Sequence, residues 1–356
     1  MKETLLYVGT YTHDLDTDEM TGSKGIYALG FDDDMGCLRQ RNIITGMKNP
    51  TYLQVVHNCL YTTNEYVGGG QLSSYRIDPL LGELSLLNTV YMEEASSTCQ
   101  LAVKDNCLFC ASYFSAHAAA FELDKDGRIG RRTFFEQYKG SSVNPVRQQE
   151  AHTHSVTPAK TGNYVFVADL GMDKLIPYRL NKETCTMELA AERHSWVSIP
   201  SGEGPRHMVF HPNGKYAYLS TELGGHIIVF NYCASEGVLT QKQIISTLPE
   251  GYEGQIHVSH VEVSHHGDYL ITANRGHDSI VLYKIEQDGR LALSDIKSSG
   301  GHYPRHFVFS EDDRYIIVAN RLSNNITVFE FDRERGKLGN RTCNYEIPSP
   351  TCVSFL

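Results

Sequence analysis

The sequence predicts an all-β chain folded as one seven-bladed β-propeller. Three observations carry that prediction. Short runs rich in Val, Ile, Tyr and Phe alternate with turn signals along the whole chain, with no sustained helical period. A motif leading into a Tyr-initiated strand recurs at intervals of about 50 residues, the length of a four-stranded blade. The chain also begins part-way through this unit and ends on the one strand that the first unit lacks.

The clearest copies align without gaps: His154 to Tyr164, Arg206 to Tyr216, Ser259 to Tyr269 and Arg305 to Tyr315. Each leads into an apolar strand that closes on a small polar pair, Ala168-Asp169, Ser220-Thr221, Ala273-Asn274 or Ala319-Asn320. Third strands are predicted from Lys174 to Leu180, His226 to Tyr232, Ser279 to Ile285 and Asn325 to Phe331. Turns such as Asp288-Gly289 and Arg335-Gly336 then introduce an outer strand. Weaker copies run from Asn49 to Asn64 and from Cys99 to Ser112. Leu5 to Thr10 opens the split unit and Thr351 to Leu356 supplies its missing strand, so closing the ring removes the exposed sheet edges. Seven units account for one domain over residues 1–356.

Composition narrows the function. The 356 residues carry 32 Lys and Arg against 42 Asp and Glu, a net charge of −10, which argues against nucleic acid as a partner. No apolar stretch approaches the roughly 18 residues of a membrane span, and Met1 to Thr10 has no secretory pattern. The nine cysteines show no CxxC pair and no disulfide-type spacing. A cytoplasmic protein, monomeric or weakly dimeric, is expected.

Two repeated positions break the blandness that equivalent sites in a repeat normally show. The first, ten residues before the second-strand Tyr, holds His154, Arg206, Ser259 and Arg305. The second, at the end of that strand, holds Tyr11, Glu65, Tyr113, Leu170, Glu222, Arg275 and Arg321. In a propeller both rows ring one funnel. Several Arg forks in an acidic protein point to a small anionic ligand rich in oxygen. His154 and Glu222 are candidates for acid–base work, and Arg206 and Arg275 for stabilising charge on a carbonyl oxygen. Arg–Glu pairs between blades are also common structural clips, a reading open for Glu65 and Arg321. His207, His260 and His306 recur in register, which suits structural hydrogen bonding better than catalysis. Sixteen His residues invite a metal, but His152-Thr153-His154 lacks a third ligand at a telling spacing and His265-His266 falls on a turn.

An ordered set of motifs resembles the lactonase-type seven-bladed propellers, the family of bacterial 6-phosphogluconolactonases and fungal carboxy-muconate lactonising enzymes. The matching residues are Tyr7 to Thr12, Gly25 to Tyr27, Asn49-Pro50, Tyr61 to Glu65, His152 to Ser155 and Ala168 to Asp173. Gly204 to His207, Thr221 to Leu223, Ala273 to Gly276, Tyr303 to Arg305 and Ala319-Asn320 complete the set. The resemblance implies a cytoplasmic, cofactor-free, metal-free hydrolase that opens 6-phospho-glucono-1,5-lactone in the pentose phosphate route. It implies His154, Arg206, Glu222 and Arg275 as the catalytic set, with His154 or Glu222 activating water. Substrate contacts are expected from His152, Glu65, Asp169, His207, Asn274, Arg305, Asn320 and Arg321. Two departures bear on substrate choice: the third blade reads Ser112-Tyr113-Phe114-Ser115, and Arg321 stands where Gln is frequent. The alternatives are a lactonase or lactonising cycloisomerase for a muconate-type lactone, a metal-dependent sugar lactonase, and a non-catalytic protein-binding propeller. The last has no Trp-Asp signature, since the single Trp196 precedes Val197.

Overall fold

A computed structural model describes residues 3–190 and 196–356. Seven antiparallel sheets of four strands follow one another around a ring, the fourth carrying a short fifth strand, Val197–Ser198. No helix occurs among the described residues. In blade one the innermost strand is Pro350–Phe355, paired with Glu3–Thr10, so the chain's two ends close the ring as expected. Blades two to seven begin at the inner strands Pro50–Val56, Thr98–Lys104, Thr153–Pro158, Pro205–Phe210, His257–Val263 and Pro304–Phe309.

Alternating side chains of neighbouring sheets interlock into apolar clusters between blades. One of them joins Ile271, Leu282, Phe307, Phe309, Val318 and Phe329, all fully buried or nearly so. The recurrent second-strand Tyr has a specific task in this packing. Tyr164, Tyr216, Tyr269 and Tyr315 each donate a hydrogen bond to a turn carbonyl of the next blade, at Ser235, Gln287, Arg333 and Asp34, over 3.0–3.4 Å. The Gly of the same turn (Gly237, Gly289, Gly336 or Gly36) lies on the Tyr ring at positive φ. A Cβ there would meet the ring at under 3.0 Å. Repetition of Tyr and Gly in the sequence thus encodes a blade-to-blade clip. Gly237→Ala is expected to lower stability by about 1–3 kcal/mol through backbone strain and overpacking; a shifted urea midpoint with unchanged m checks it.

The cysteines depart from expectation. Cys107 and Cys185 form a disulfide between blades three and four, with Cα atoms 5.5 Å apart and 78 residues between them in sequence. No spacing rule could expose the pair, because blade packing creates its proximity. His265 and His266, read as turn residues, donate through Nδ1 to the two oxygens of Asp313 on the next blade, at 2.8 and 2.7 Å. Among the described residues no group of three His, Cys, Asp or Glu side chains is placed to hold a metal ion.

Candidate functional site

Every inner strand loses its pairing register once near its start. The residue left over is Thr351, Thr51, Cys99, His154, Arg206 or Arg305, and Ser259 with His260 in blade six. A β-bulge of this kind sets two residues against one and re-aims the extra side chain. The first repeated position in the sequence is therefore a ring of bulges. The second is a ring of strand ends. Tyr11, Glu65, Tyr113, Leu170, Glu222 and Arg321 each donate their backbone N–H to the carbonyl just before the neighbouring inner strand, over 2.8–3.1 Å. Arg275 pairs in register with His257.

Between the rings lies a cavity of about 460 Å³, lined by Cys99, His154 and Arg305 from the bulges and by Tyr11, Glu65, Tyr113, Glu222, Arg275 and Arg321 from the strand ends. Its volume suits a small ligand. Arg147, Ser97, His257, Tyr303, Phe114, Leu15 and Asp16 complete the wall.

Glu222 organises one end. Its Oε2 accepts from Arg206 Nε at 2.9 Å and contacts Arg275 Nη2 at 2.6 Å, while Oε1 accepts from Arg147 Nη2 at 2.7 Å. Burial opposes ionisation of Glu222, but Arg275, Arg206 and Arg147 outweigh it and hold the carboxyl well below the usual range. His154 Nε2 stands 3.8 Å from Glu222 Oε2. Burial, reinforced by Arg206, keeps this imidazole neutral by pushing its pKa well below 6.5. Arg206 is 2 % exposed and is used on Glu222, the Ser259 carbonyl at 2.5 Å and His207, so it does not reach the cavity wall. Arg275 anchors on the carbonyls of His257 and Val258 and still faces the cavity.

Glu65 organises the other end. It accepts from Tyr11 Oη at 2.6 Å, Thr51 Oγ1 at 2.9 Å and Ser97 Oγ at 2.7 Å. Arg305 Nη2 lies 3.8 Å from Glu65 and donates to Tyr11 Oη at 3.0 Å. Arg321 and Arg305 both approach the Tyr11 ring.

A belt of imidazoles packs against His154, whose ring meets that of His207 edge to face with centroids 5.3 Å apart. Arg206 can only donate, so His207 Nε2 accepts its bond at 3.3 Å. His207 Nδ1 then carries the hydrogen and donates to His260 Nδ1 at 2.9 Å, which leaves His260 Nε2–H toward Glu262 at 4.0 Å. His260 stacks on His306 with centroids 4.0 Å apart. Burial first, then neighbouring cations, holds His207 and His260 far below 6.5 and His306 at about 3. These three and His154 are neutral in the fold and titrate near 6.5 once unfolded, so below that pH the unfolded chain binds more protons and stability falls. Burial lifts Glu262 to about 8 and Asp169 to about 6, and these two act in the opposite sense. The four histidines outnumber the two carboxyls, so stability is expected to fall as pH drops below about 6.5, a trend to be read from urea melts.

Of the substrate contacts expected from sequence, Glu65, Arg305 and Arg321 line the cavity with His154, Glu222 and Arg275. The rest sit elsewhere. His152 stacks on Tyr113 with centroids 4.5 Å apart, and His207 belongs to the belt. Asp169 accepts the backbone N–H groups of His152 and Met172 and the Thr153 hydroxyl. Asn274 ties Thr247 to Ser279, and Asn320 bonds Ser299 and Thr327. These three tie strand ends to neighbouring backbone. Sequence reasoning missed Arg147, which reaches Glu222 and Tyr113 from the connection between blades three and four. Its one signal was the extra length of that connection between Gln137 and Thr153. Cys99 and Thr51 escaped the ten-residue rule because the second strands of their blades begin earlier, at Cys107 and Cys59, without a Tyr.

Comparison with known proteins agrees with this architecture. The chain is 33 % identical over 355 residues to the 6-phosphogluconolactonase of Bacillus subtilis, covering 98 % of this chain and 97 % of that one. Its structure is similar to the periplasmic gluconolactonase of Pseudomonas aeruginosa, with TM-score 0.92, 31 % identity and coverage of 100 % and 99 %. A Lactobacillus plantarum protein superposes with TM-score 0.90 at 28 % identity, over 100 % of both chains. Residues 5–355 match the family described as "Lactonase, 7-bladed beta-propeller", and the chain belongs to that family.

Proposed function

We propose that the protein hydrolyses 6-phospho-glucono-1,5-lactone to 6-phosphogluconate, the lactone-opening step of the pentose phosphate route. The observation that carries this reading is the division of labour at the cavity's inner end: a neutral imidazole beside a carboxylate whose oxygens are all engaged. Glu222 holds three guanidiniums and cannot readily take a proton. The His154 imidazole is already neutral, lines the cavity and stands 3.8 Å from the carboxylate that stabilises it once protonated, so it becomes the base.

In this mechanism His154 removes a proton from water as the water oxygen bonds to the lactone carbonyl carbon. Arg275 and Arg147, which face the cavity, stabilise the negative charge that grows on the carbonyl oxygen. Glu222, 3.8 Å away, stabilises the imidazolium so formed. The carbon–ring-oxygen bond then breaks, and His154 returns its proton to the leaving oxygen. Arg206 acts by positioning Glu222.

The resemblance to a 6-phosphogluconolactonase supports the phosphorylated substrate. The similarity to a gluconolactonase favours glucono-1,5-lactone as a second reading. Freshly generated lactone tests both, because such esters also open spontaneously. Turnover well above the buffer rate, unchanged by chelator, is expected on the phosphorylated lactone; a rate equal to buffer overturns the assignment.

A further inference from the structure

The two ends of the cavity are unequal in what they leave unused. At the Glu222 end the guanidiniums share a carboxylate and several backbone carbonyls. At the Tyr11 end the donors are largely unspent. Arg305 makes one hydrogen bond among the described residues, to Tyr11 Oη. Arg321 makes one, a 3.4 Å contact from Nη2 to Asp14, and its buried Nε has no partner. Asp14 is 37 % exposed, and its other oxygen is occupied by the N–H groups of Asp16 and Thr17.

Tyr11 fixes both arginines before any ligand arrives. Its hydroxyl donates to Glu65 and accepts from Arg305, and its ring lies under the Arg321 guanidinium at 4.4 Å. Glu65 offsets part of the charge, yet its own oxygens are filled by Tyr11, Thr51 and Ser97. Two forks with most of their five N–H groups unspent therefore line one wall of the cavity. Such a pair matches a dianion with three terminal oxygens.

We infer that Arg305 and Arg321, held on Tyr11, form the subsite for the substrate's phosphate and set the preference for phosphorylated over neutral sugar lactones. This rests on the lactonase reading above. The phosphate hangs from C6, which joins the ester through C5 and the ring oxygen, so seating it on this wall leaves the carbonyl to turn toward His154, Arg147 and Arg275, which line the same cavity. It replaces the long Asp14 contact. A neutral lactone leaves the Arg321 donors without a charged acceptor.

The test is the ratio of kcat/KM for 6-phospho-glucono-1,5-lactone to that for glucono-1,5-lactone, in wild type, Arg321→Gln and Arg321→Lys. The ratio is expected to fall about 10- to 100-fold in Arg321→Gln, mainly through KM, and less in Arg321→Lys. An unchanged ratio, with both substrates slowed equally, overturns the subsite. Calorimetric binding of 6-phosphogluconate against gluconate reads the same wall without turnover. Wild type inert toward both lactones overturns the proposed reaction alone, and the subsite then stands if Arg321→Gln weakens 6-phosphogluconate binding and falls if it does not.

Discussion

Replacing His154 with Ala is expected to lower kcat for lactone opening by about 10²- to 10⁴-fold, the usual contribution of a positioned general base, with KM little changed. The reason is local. His154 lies at a bulge whose extra residue points into the cavity, and its imidazole is kept neutral by burial and by Arg206. A base must be deprotonated to work, and this one loses its proton far below 6.5. The wild-type rate should therefore stay level from about pH 8 to 6 and fall only in more acid solution. An acid limb centred near 6.5 on glucono-1,5-lactone, which has no phosphate to titrate in that range, would show that a different, solvent-like histidine carries the chemistry. Retention of the full rate in His154→Ala would remove this residue from the reaction altogether.

The fold was legible because its cause is periodic. A seven-fold repetition of strand and turn cannot be produced by chance propensities, and the Tyr–Gly clip explains why the repetition is most literal in blades four to seven, where the second strand begins with Tyr. The rings of the site were legible for a related reason. A repeat that places Arg, His and Glu where a structural residue would serve exposes positions under a second demand. The physical device behind the first ring, a bulge at the same place in each inner strand, is invisible in composition, but its register is not.

What stayed hidden is what periodicity cannot carry. Arg147 lies outside the repeat, so nothing in register pointed to it, although it supplies one of the three guanidiniums on Glu222. The Cys107–Cys185 bond depends on which faces of two blades meet. Asp169, Asn274 and Asn320 share one register because each polar side chain ties its strand end to neighbouring backbone, at His152, Thr247 and Ser299. Sequence alone does not separate such a tie from a ligand contact at the same height in the funnel. The roles of His154 and Glu222 needed the contacts themselves: two acid–base side chains look alike until one is found clamped by three cations.

Glu222→Gln is expected to cost stability on the order of 3–5 kcal/mol, as removal of one partner from a buried ionic cluster does. Arg206 and Arg275 are 2 % and 3 % exposed, so the amide leaves both charges buried beside each other without their shared counter-ion. Arg147 is 31 % exposed through its side chain, and Arg147→Ala should cost far less. Urea melts of the two variants give the comparison. Loss of the anchor of three guanidiniums must lower stability and rate together, because the groups that hold the carbonyl oxygen depend on it for their places. A Glu222→Gln variant as stable as wild type would overturn this anchoring role.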